Sequence, residues 1–424
     1  MRFLYTISIK AYVFAIHLAA LFSAKARLWV RGRQDWKEQM QEMGRTMTRD
    51  NKQSPVIWFH CASLGEFEQG RPVLEKFRQE YPGWFILLTF FSPSGYEVRK
   101  DYTGADYVMY LPPDTPGNVD FFLDFWQPRL AVFVKYEFWV HYLKGLSRRQ
   151  VDTLVVSAIF RPDQHFFRRR GTWFRNQLQH VSWFFVQDKA SHDLLKRYGF
   201  ENVVVSGDTR FDRVYRLSRE PEHFPVVESF AAGNRVLVAG STWPKDMAVL
   251  QAFMKSGPRD MKYIIAPHEV HEESLQQTET LPDLPSHRYS AVTEPVSEEV
   301  KVLIIDKIGF LSHLYQYGDV AFIGGGFGQG IHNILEAAAF GIPVLFGPNM
   351  HKFAEAVELI ERGGALRIHD GDELAEKLEL LLSDREKLLE KGRICRQYVE
   401  EKQGATAIIL EHINKLSVTS HPHP

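Results

Sequence analysis

Two glutamates and one glycine-rich loop carry the residue types that could do chemistry. Glu66 follows an apolar run, Pro55 to His60, through the turn Ser63-Leu64-Gly65. A carboxylate at the C-terminal end of a parallel strand, beside a glycine that lets substrate come close, is placed to act as a general base. The same position also suits an ordinary helix-start acid, because the helix dipole favours a carboxylate in the first turn. Glu137, in the stretch Lys135-Tyr136-Glu137-Phe138-Trp139, follows the run Leu130 to Val134 and puts a second carboxylate on the same rim. Further along, Val320 to Pro348 reads VAFIGGGFGQGIHNILEAAAFGIPVLFGP. This is a strand, a loop with Gly324, Gly325, Gly326, Gly328 and Gly330, a helix over Ile334 to Phe340 with Asn333 as its cap, and the next strand. Glycine lets backbone approach a ligand, and a helix start offers free N–H groups, so a phosphate is the natural guest. His332 and Asn333 stand where that ligand would lie. Glu336, one turn into the helix on the side of Asn333, could accept hydrogen bonds from ribose hydroxyls.

Three further places invite the same question. Gly240-Ser241-Thr242-Trp243 ends another apolar run, and its hydroxyls either hold a phosphate or cap a helix. Pro267-His268-Glu269-Val270-His271 offers two histidines three apart, with helical spacing for a metal, but no third ligand accompanies them. A nucleotide contact or a surface role for His268 fits better. Arg161, followed by Arg168, Arg169 and Arg170, lies past a strand end; it is either a solvated helix face or a place to meet an anion. The loop is not a GxGxxG followed by an acid about 20 residues on, so a dinucleotide site fits poorly.

The elements that must position these groups alternate regularly. Strands are expected at 55–60, 84–90, 107–110, 130–134, 151–157, 183–186 and 203–205, and then at 235–239, 262–266, 301–305, 319–323 and 343–346, with helical stretches between. A chain of 424 residues is too long for one ordinary core. The expected division is a segment 1–30, a βα domain 31–213, a polar linker 214–233 with Pro221 and Pro225, and a second βα domain 234–424. Alternating βα units make two Rossmann-like α/β domains facing each other across a cleft, the plan of GT-B glycosyltransferases and of related sugar-nucleotide epimerases.

Charge divides along the same line. Residues 1–215 carry 30 Lys and Arg against 22 Asp and Glu, and residues 216–424 carry 21 against 30, so a near-neutral chain has a basic front half. That suits an anionic surface or a phosphorylated lipid, or is ordinary scatter between domains. The basic residues are not interleaved with a nucleic-acid reader motif, so no nucleic acid is expected. Ala11 to Phe22 is apolar but shorter than the ~20 residues that span a bilayer, and Lys10, Lys25, Arg27, Arg31 and Arg33 flank it. A membrane-seated amphipathic helix or a short anchor is expected, with a core helix as the plain alternative. Cys61 and Cys395 form neither a metal pattern nor a disulfide framework, which points to a reducing cytoplasm.

Together these blocks resemble the 3-deoxy-D-manno-octulosonic acid (Kdo) transferases that act on lipid A precursors. The resemblance runs to about residue 405. It rests on GRQDW at 32–36, WFHCASLGEFEQGRPV at 58–73, KYEFWVHYL at 135–143, GDTRFDR at 207–213, GSTW at 240–243 and GGGFGQGIHNILEAAAFGIPVLFGPNMHKF at 324–353. It implies a CMP-Kdo donor, a lipid A precursor (lipid IVA) as acceptor, inversion at the anomeric carbon and no metal or other cofactor. It also implies seating on the cytoplasmic face of the inner membrane. It makes Glu66 the catalytic base. Ser241, Thr242, His268, Gly326, His332, Asn333 and Glu336 become the donor pocket. On the acceptor side stand Gly65 and Glu137, and we add Arg161, whose charge and place past a strand end suit the acceptor phosphates; that addition is an inference from the residues and not from the resemblance. The chain departs from the family in two places. Lys135 stands where an acid is usual, and Pro267-His268-Glu269 replaces a Pro-Arg-His block, so a nucleotide-site arginine is missing and His268 or His271 takes its place. The rival readings are a sugar-nucleotide epimerase of the same fold and a non-catalytic lipid-binding relative.

Overall fold

A computed structural model describes residues 1–50, 54–256, 258, 260–280, 284–292 and 295–419. Two units result, one of residues 1–212 with 404–424, the other of residues 213–403. The first contains a seven-stranded parallel sheet: β1 (Val56–Cys61), β2 (Phe85–Phe90), β3 (Tyr107–Tyr110), β4 (Leu130–Val134), β5 (Asp152–Ala158), β6 (Trp183–Val186) and β7 (Val203–Val205), in the order β3-β2-β1-β4-β5-β6-β7. The second repeats the plan with β8 (Arg235–Thr242), β9 (Met261–Pro267), β10 (Ser286–Arg288), β11 (Val302–Ile304), β12 (Val320–Ile323), β13 (Val344–Phe346) and β14 (Ala365–Arg367), in the order β10-β11-β9-β8-β12-β13-β14. Helices cover both faces of each sheet, which is why β1, β4, β9 and β12 are buried along their whole length and read as unbroken apolar runs.

In each sheet the strand order reverses once. β1 lies between β2 and β4, with Val56 opposite Phe85 and Ile57 opposite Leu130. β8 lies between β9 and β12, with Leu237 opposite both Tyr263 and Val320. Successive crossovers there leave to opposite faces, so the loops at the strand C-termini part and open a crevice. Most of the expected residues fall at these two places: Glu66 and Glu137 follow β1 and β4, Ser241 lies at the end of β8 and the glycine loop follows β12, while Arg161 and His268 follow the neighbouring strands β5 and β9.

Three expectations about the chain path need correction. Residues 214–233 are not an extended linker; helices Thr209–Arg219 and Pro225–Ala231 occupy most of the stretch. Phe224, Val227 and Phe230 are buried, so the apolar positions among its charges pay for helix formation. The second domain does not run to the C-terminus either. Helix Ala405–Thr419 joins the first unit, because Ile409, Leu410 and Ile413 complete the core over β1, β2 and β4. Asp212 fixes this return by accepting from the Gly404 and Thr406 N–H groups and the Thr406 hydroxyl. Residues 420–424 lie outside the described part. Finally, β10 and β14 were not expected; both are three-residue strands with little apolar pattern.

The N-terminal segment forms helices Arg2–Ala19 and Ala24–Arg31. Among the described residues no helix is long and apolar enough to cross a membrane. The first helix docks by its polar side. The Tyr5 hydroxyl donates to Asp114 (2.7 Å), and Thr6 pairs with His141 Nε2 (3.0 Å). Its other side leaves Phe3, Phe14 and, just beyond, Phe22 exposed at 75%, 65% and 89%. Such exposure is unusual for phenylalanine and marks a contact surface. Arg33, buried among Trp29, Phe91 and Tyr110, ties this segment to the sheet by donating to the carbonyls of Leu111 and Phe91. Asp114 is itself buried and accepts from the His141 and Tyr142 N–H groups as well. Asp114→Ala strands three donors at once and is expected to cost the first unit about 2–4 kcal/mol in urea unfolding. A loss under half a kcal/mol would mean that the N-terminal helix is not anchored there.

Candidate active site

Glu66 lies in the first turn of helix Leu64–Glu80, whose cap position is Ser63. Its Oε2 accepts from the Ala62 N–H at 2.5 Å, which fixes the carboxylate against the end of β1. Burial and then the charge of Glu137 push its carboxyl up to about 7, while the Ala62 N–H, Lys135 and the Ser63 N–H hold it back. Gly65 is exposed, and a Cβ built on it meets nothing within 4 Å, so the space beside Glu66 is open.

Glu137 is held by groups that the sequence did not single out. Trp139 Nε1–H donates to Glu137 Oε2 at 2.7 Å, and His60 Nε2 lies 3.3 Å from the same oxygen. His60 is fully buried, with Nδ1 2.8 Å from Thr89 Oγ1, which in turn accepts from Trp58 Nε1–H at 2.8 Å. In one His60 tautomer the protons run indole to hydroxyl, hydroxyl to Nδ1 and Nε2–H to Glu137; in the other, Nε2 accepts from the Trp139 Nε1–H at 3.2 Å. The network holds Glu137 by one oxygen and acts as its brace. Arg161 is exposed past the end of β5 and close enough to lower the titration of the Tyr136 hydroxyl against burial. Lys135 has φ +63° and Ser157 +54°, both at C-terminal strand ends on this rim. Left-handed backbone at non-glycine residues is costly and concentrates at functional places.

In the second unit Ser241 also has φ +54°, at a bulge of β8 against β9. The glycine loop folds against it. A Cβ on Gly324 would lie 2.2 Å from the Ser241 carbonyl oxygen, and one on Gly326 would lie 2.5 Å from Gly347 N. Gly326 is therefore a glycine because backbone packs on backbone. Thr242 Oγ1 is buried without a partner among the described residues. The regular helix begins at Leu335, one residue later than expected, with Ile334 in the cap position. Asn333 still performs the capping, since its Oδ1 accepts from the Leu335 N–H at 3.1 Å. Glu336 is half-buried and paired with Arg213 Nη1 at 3.2 Å.

The two histidines near residue 270 are not neighbours on a helix. They precede helix Glu272–Thr280 and part company. His271 pairs with Glu269 on the surface, whereas His268 stacks on Trp243 (4.5 Å between ring centres) and on His332 (4.4 Å). Trp243 and His332 lie within 15° of coplanar, and Trp243 Nε1–H donates to His332 Nε2 at 2.9 Å. That bond makes Nε2 the acceptor, so neutral His332 carries its proton on Nδ1. Burial and the neighbouring His268 lower the His332 ring to about 4, which keeps it neutral at physiological pH. Among the described residues no group of three or more His, Cys, Asp or Glu is placed to hold a metal ion.

Glu66 ties stability to its ionisation. Its folded value lies above the ordinary 4.5, so the protonated form contributes stability that is complete at low pH and lost as pH rises through about 7. Glu66→Gln removes that penalty. It is expected to raise stability at pH 8 by about 1–3 kcal/mol and to change it little at pH 4. An equal gain at both pH values in urea titrations would show that burial of charge is not the cause.

Residues 34–213 match the family described as 3-deoxy-D-manno-octulosonic-acid transferase (kdotransferase). The chain is 28% identical over 374 residues to the 3-deoxy-D-manno-octulosonic acid transferase of Rickettsia felis, covering 85% of this chain and 79% of that one. Over 372 residues it is 25% identical to that of Haemophilus influenzae (84% and 86%), and over 357 residues 27% identical to that of Aquifex aeolicus (82% and 92%). In fold it resembles the UDP-GlcNAc 2-epimerase of Neisseria meningitidis bound to UDP-GlcNAc, at TM-score 0.59, 15% identity and coverage of 86% and 100%. It likewise resembles the calicheamicin glycosyltransferase, at TM-score 0.57, 12% identity and coverage of 87% and 100%. The resemblance to Kdo transferases thus holds, and the fold is the two-domain α/β type of GT-B glycosyltransferases and epimerases.

Proposed function

We propose that this chain, a relative of the Kdo transferases, moves Kdo from CMP-Kdo to a phosphorylated lipid A precursor (lipid IVA) in lipopolysaccharide synthesis, with inversion at the anomeric carbon. The observation that carries the reading is Glu66: a half-buried carboxylate in the first helical turn after β1 whose value of about 7 suits a base working near neutrality. The Ala62 N–H holds Oε2, and the carboxylate accepts the proton of the acceptor hydroxyl. As that oxygen attacks the anomeric carbon, the bond from carbon to the phosphate oxygen breaks. CMP leaves with the electron pair, and the proton rests on Glu66. Glu137, fixed by Trp139 and His60, keeps Glu66 basic by its charge. Gly65 leaves room for the acceptor, and Arg161 faces its phosphates.

The donor belongs to the second unit. The Ser241 and Thr242 hydroxyls, the Asn333 amide and the Nδ1–H of His332 are the phosphate donors, beside the loop that contains Gly326. Glu336 takes the ribose hydroxyls while Arg213 balances its charge. His268, rather than His271, stands in for the missing arginine, since its ring joins the platform of Trp243 and His332. A flat exposed ring is a surface for a pyrimidine. In this reading the negative charge that develops on CMP is met by these hydrogen-bond donors, and no metal takes part. The exposed phenylalanines of the N-terminal helices, with Lys10, Lys25, Arg27 and Arg31 beside them, seat the enzyme on an anionic membrane face.

The test is a transfer assay with CMP-Kdo and lipid IVA in anionic vesicles, EDTA present, read by mass spectrometry. A lipid product heavier by one or more Kdo units, made by protein that sediments with the vesicles, is expected. Glu66→Gln is expected to bind CMP within about threefold of the natural protein and to lose at least 100-fold in turnover, the scale of a missing general base. Absence of any Kdo-bearing lipid would contradict the reading. Turnover near the natural rate in the variant would remove Glu66 as the base.

A further inference from the structure

The Gly325 N–H of the glycine loop is already in use. Asp246, the third residue of helix Pro244–Ser256, is fully buried. Its Oδ2 accepts from the Gly325 N–H at 2.8 Å and from the Trp243 N–H at 2.9 Å, and the Phe327 N–H faces the same carboxylate. Gly325 has φ +88°, the left-handed turn that aims successive N–H groups into one concavity. Such a backbone nest ordinarily receives the phosphate or other anion of a ligand. Here the anion is a side chain of the same protein. It links the loop after β8 to the loop after β12, the two segments that meet at the reversal of strand order.

We propose that Asp246 is the resident anion of this nest and a positioning residue for the donor. Its carboxylate holds the glycine loop and the Ser241-Thr242-Trp243 turn in one arrangement, so that the donor phosphate is met by side chains and not by the Gly325 N–H. The inference rests on the reading of the second unit as the donor unit, and it changes what the glycines are for. Two anions cannot share one set of N–H groups without strong repulsion in a buried place. The donor phosphate therefore lies toward Ser241, Thr242, Asn333 and His332. Trp243 is the link to the nucleotide: its N–H is bound by Asp246, and its indole holds His332 and carries His268. Loss of Asp246 frees both the loop and the ring platform.

Removing the carboxylate and returning it in solution tests this. Full-length Asp246→Ala is expected to bind CMP about 10- to 100-fold more weakly, the range for loss of charge-assisted hydrogen bonds. Its KM for CMP-Kdo should rise more than its kcat falls. Sodium formate at 100 mM, against sodium chloride at equal ionic strength, should restore CMP affinity at least fivefold and raise the melting temperature of the variant while leaving the natural protein unchanged. Asp246→Asn keeps the shape and loses the charge; it should lie between the two and gain nothing from formate. CMP affinity of Asp246→Ala within twofold of natural, or a formate response equal in both proteins, overturns the proposal. If Asp246→Ala does not fold without formate, folding in its presence upholds the proposal. Failure with and without formate leaves the decision to Asp246→Asn, whose unchanged affinity and melting temperature would overturn it. Natural protein with no affinity for CMP would remove the Kdo-transfer reading instead, and the formate-dependent melting of the variant would still decide the place of Asp246.

Discussion

The reversal of strand order in each sheet is the constraint from which the rest follows. At β1 and β4, and again at β8 and β12, successive crossovers go to opposite faces, and the loops at the strand ends part. Much of the candidate chemistry sits at or just beyond these strand ends. Glu66 and Glu137 end one pair of strands; Ser241, Asp246 and His332 end the other. The strands themselves contribute rigidity, since their continuous burial leaves the loop positions no freedom to drift. Left-handed backbone at Lys135 and Ser241 is the local cost of turning sharply there.

Both units place carboxylates in surroundings that disfavour charge, and each resolves the conflict differently. Glu66 receives one short backbone hydrogen bond and a like charge nearby, and the result is a carboxyl whose proton is loosely decided near neutrality. Asp246 is buried more completely, and burial raises its carboxyl as well, but several backbone N–H groups oppose the shift. The first arrangement is suited to taking up a proton, the second to holding structure. The His60 network belongs with the second kind: its hydrogen bonds end on Glu137 and set where that charge stands relative to Glu66.

Much of this was legible in the sequence, and the physical reason is burial. Apolar runs mark the strands, so β3, β4, β6 and β7 were located to the residue and β12 to within one. The edge strands β10 and β14 are short and partly polar and left no such trace. The C-terminal helix was misassigned because its apolar positions, Ile409, Leu410 and Ile413, show that it covers a sheet but not which one. At the site, Glu66 and Glu137 were visible as acids at strand ends. His60, Trp139, Arg213 and Asp246 were not, because each acts through a contact that only the fold makes. His60 looked like the end of a strand, and nothing in its sequence neighbourhood marks Asp246. The glycines were read as a cradle for phosphate; their spacing records close backbone packing at Ser241 and Gly347 and a nest filled by Asp246.

The central claim is that burial beside Glu137 makes Glu66 a base near neutrality. Its most direct test is the pH dependence of kcat/KM for the natural protein and for Glu137→Gln. Glu66 is faced by Glu137, by Lys135 and by the Ala62 and Ser63 N–H groups, and of these only Glu137 raises it. A rising limb with a midpoint near 7 is predicted for the natural protein, moving to lower pH in the variant, where the opposing charge is gone. A limb that does not move, or activity without any ionisation between pH 5 and 8, would contradict the account.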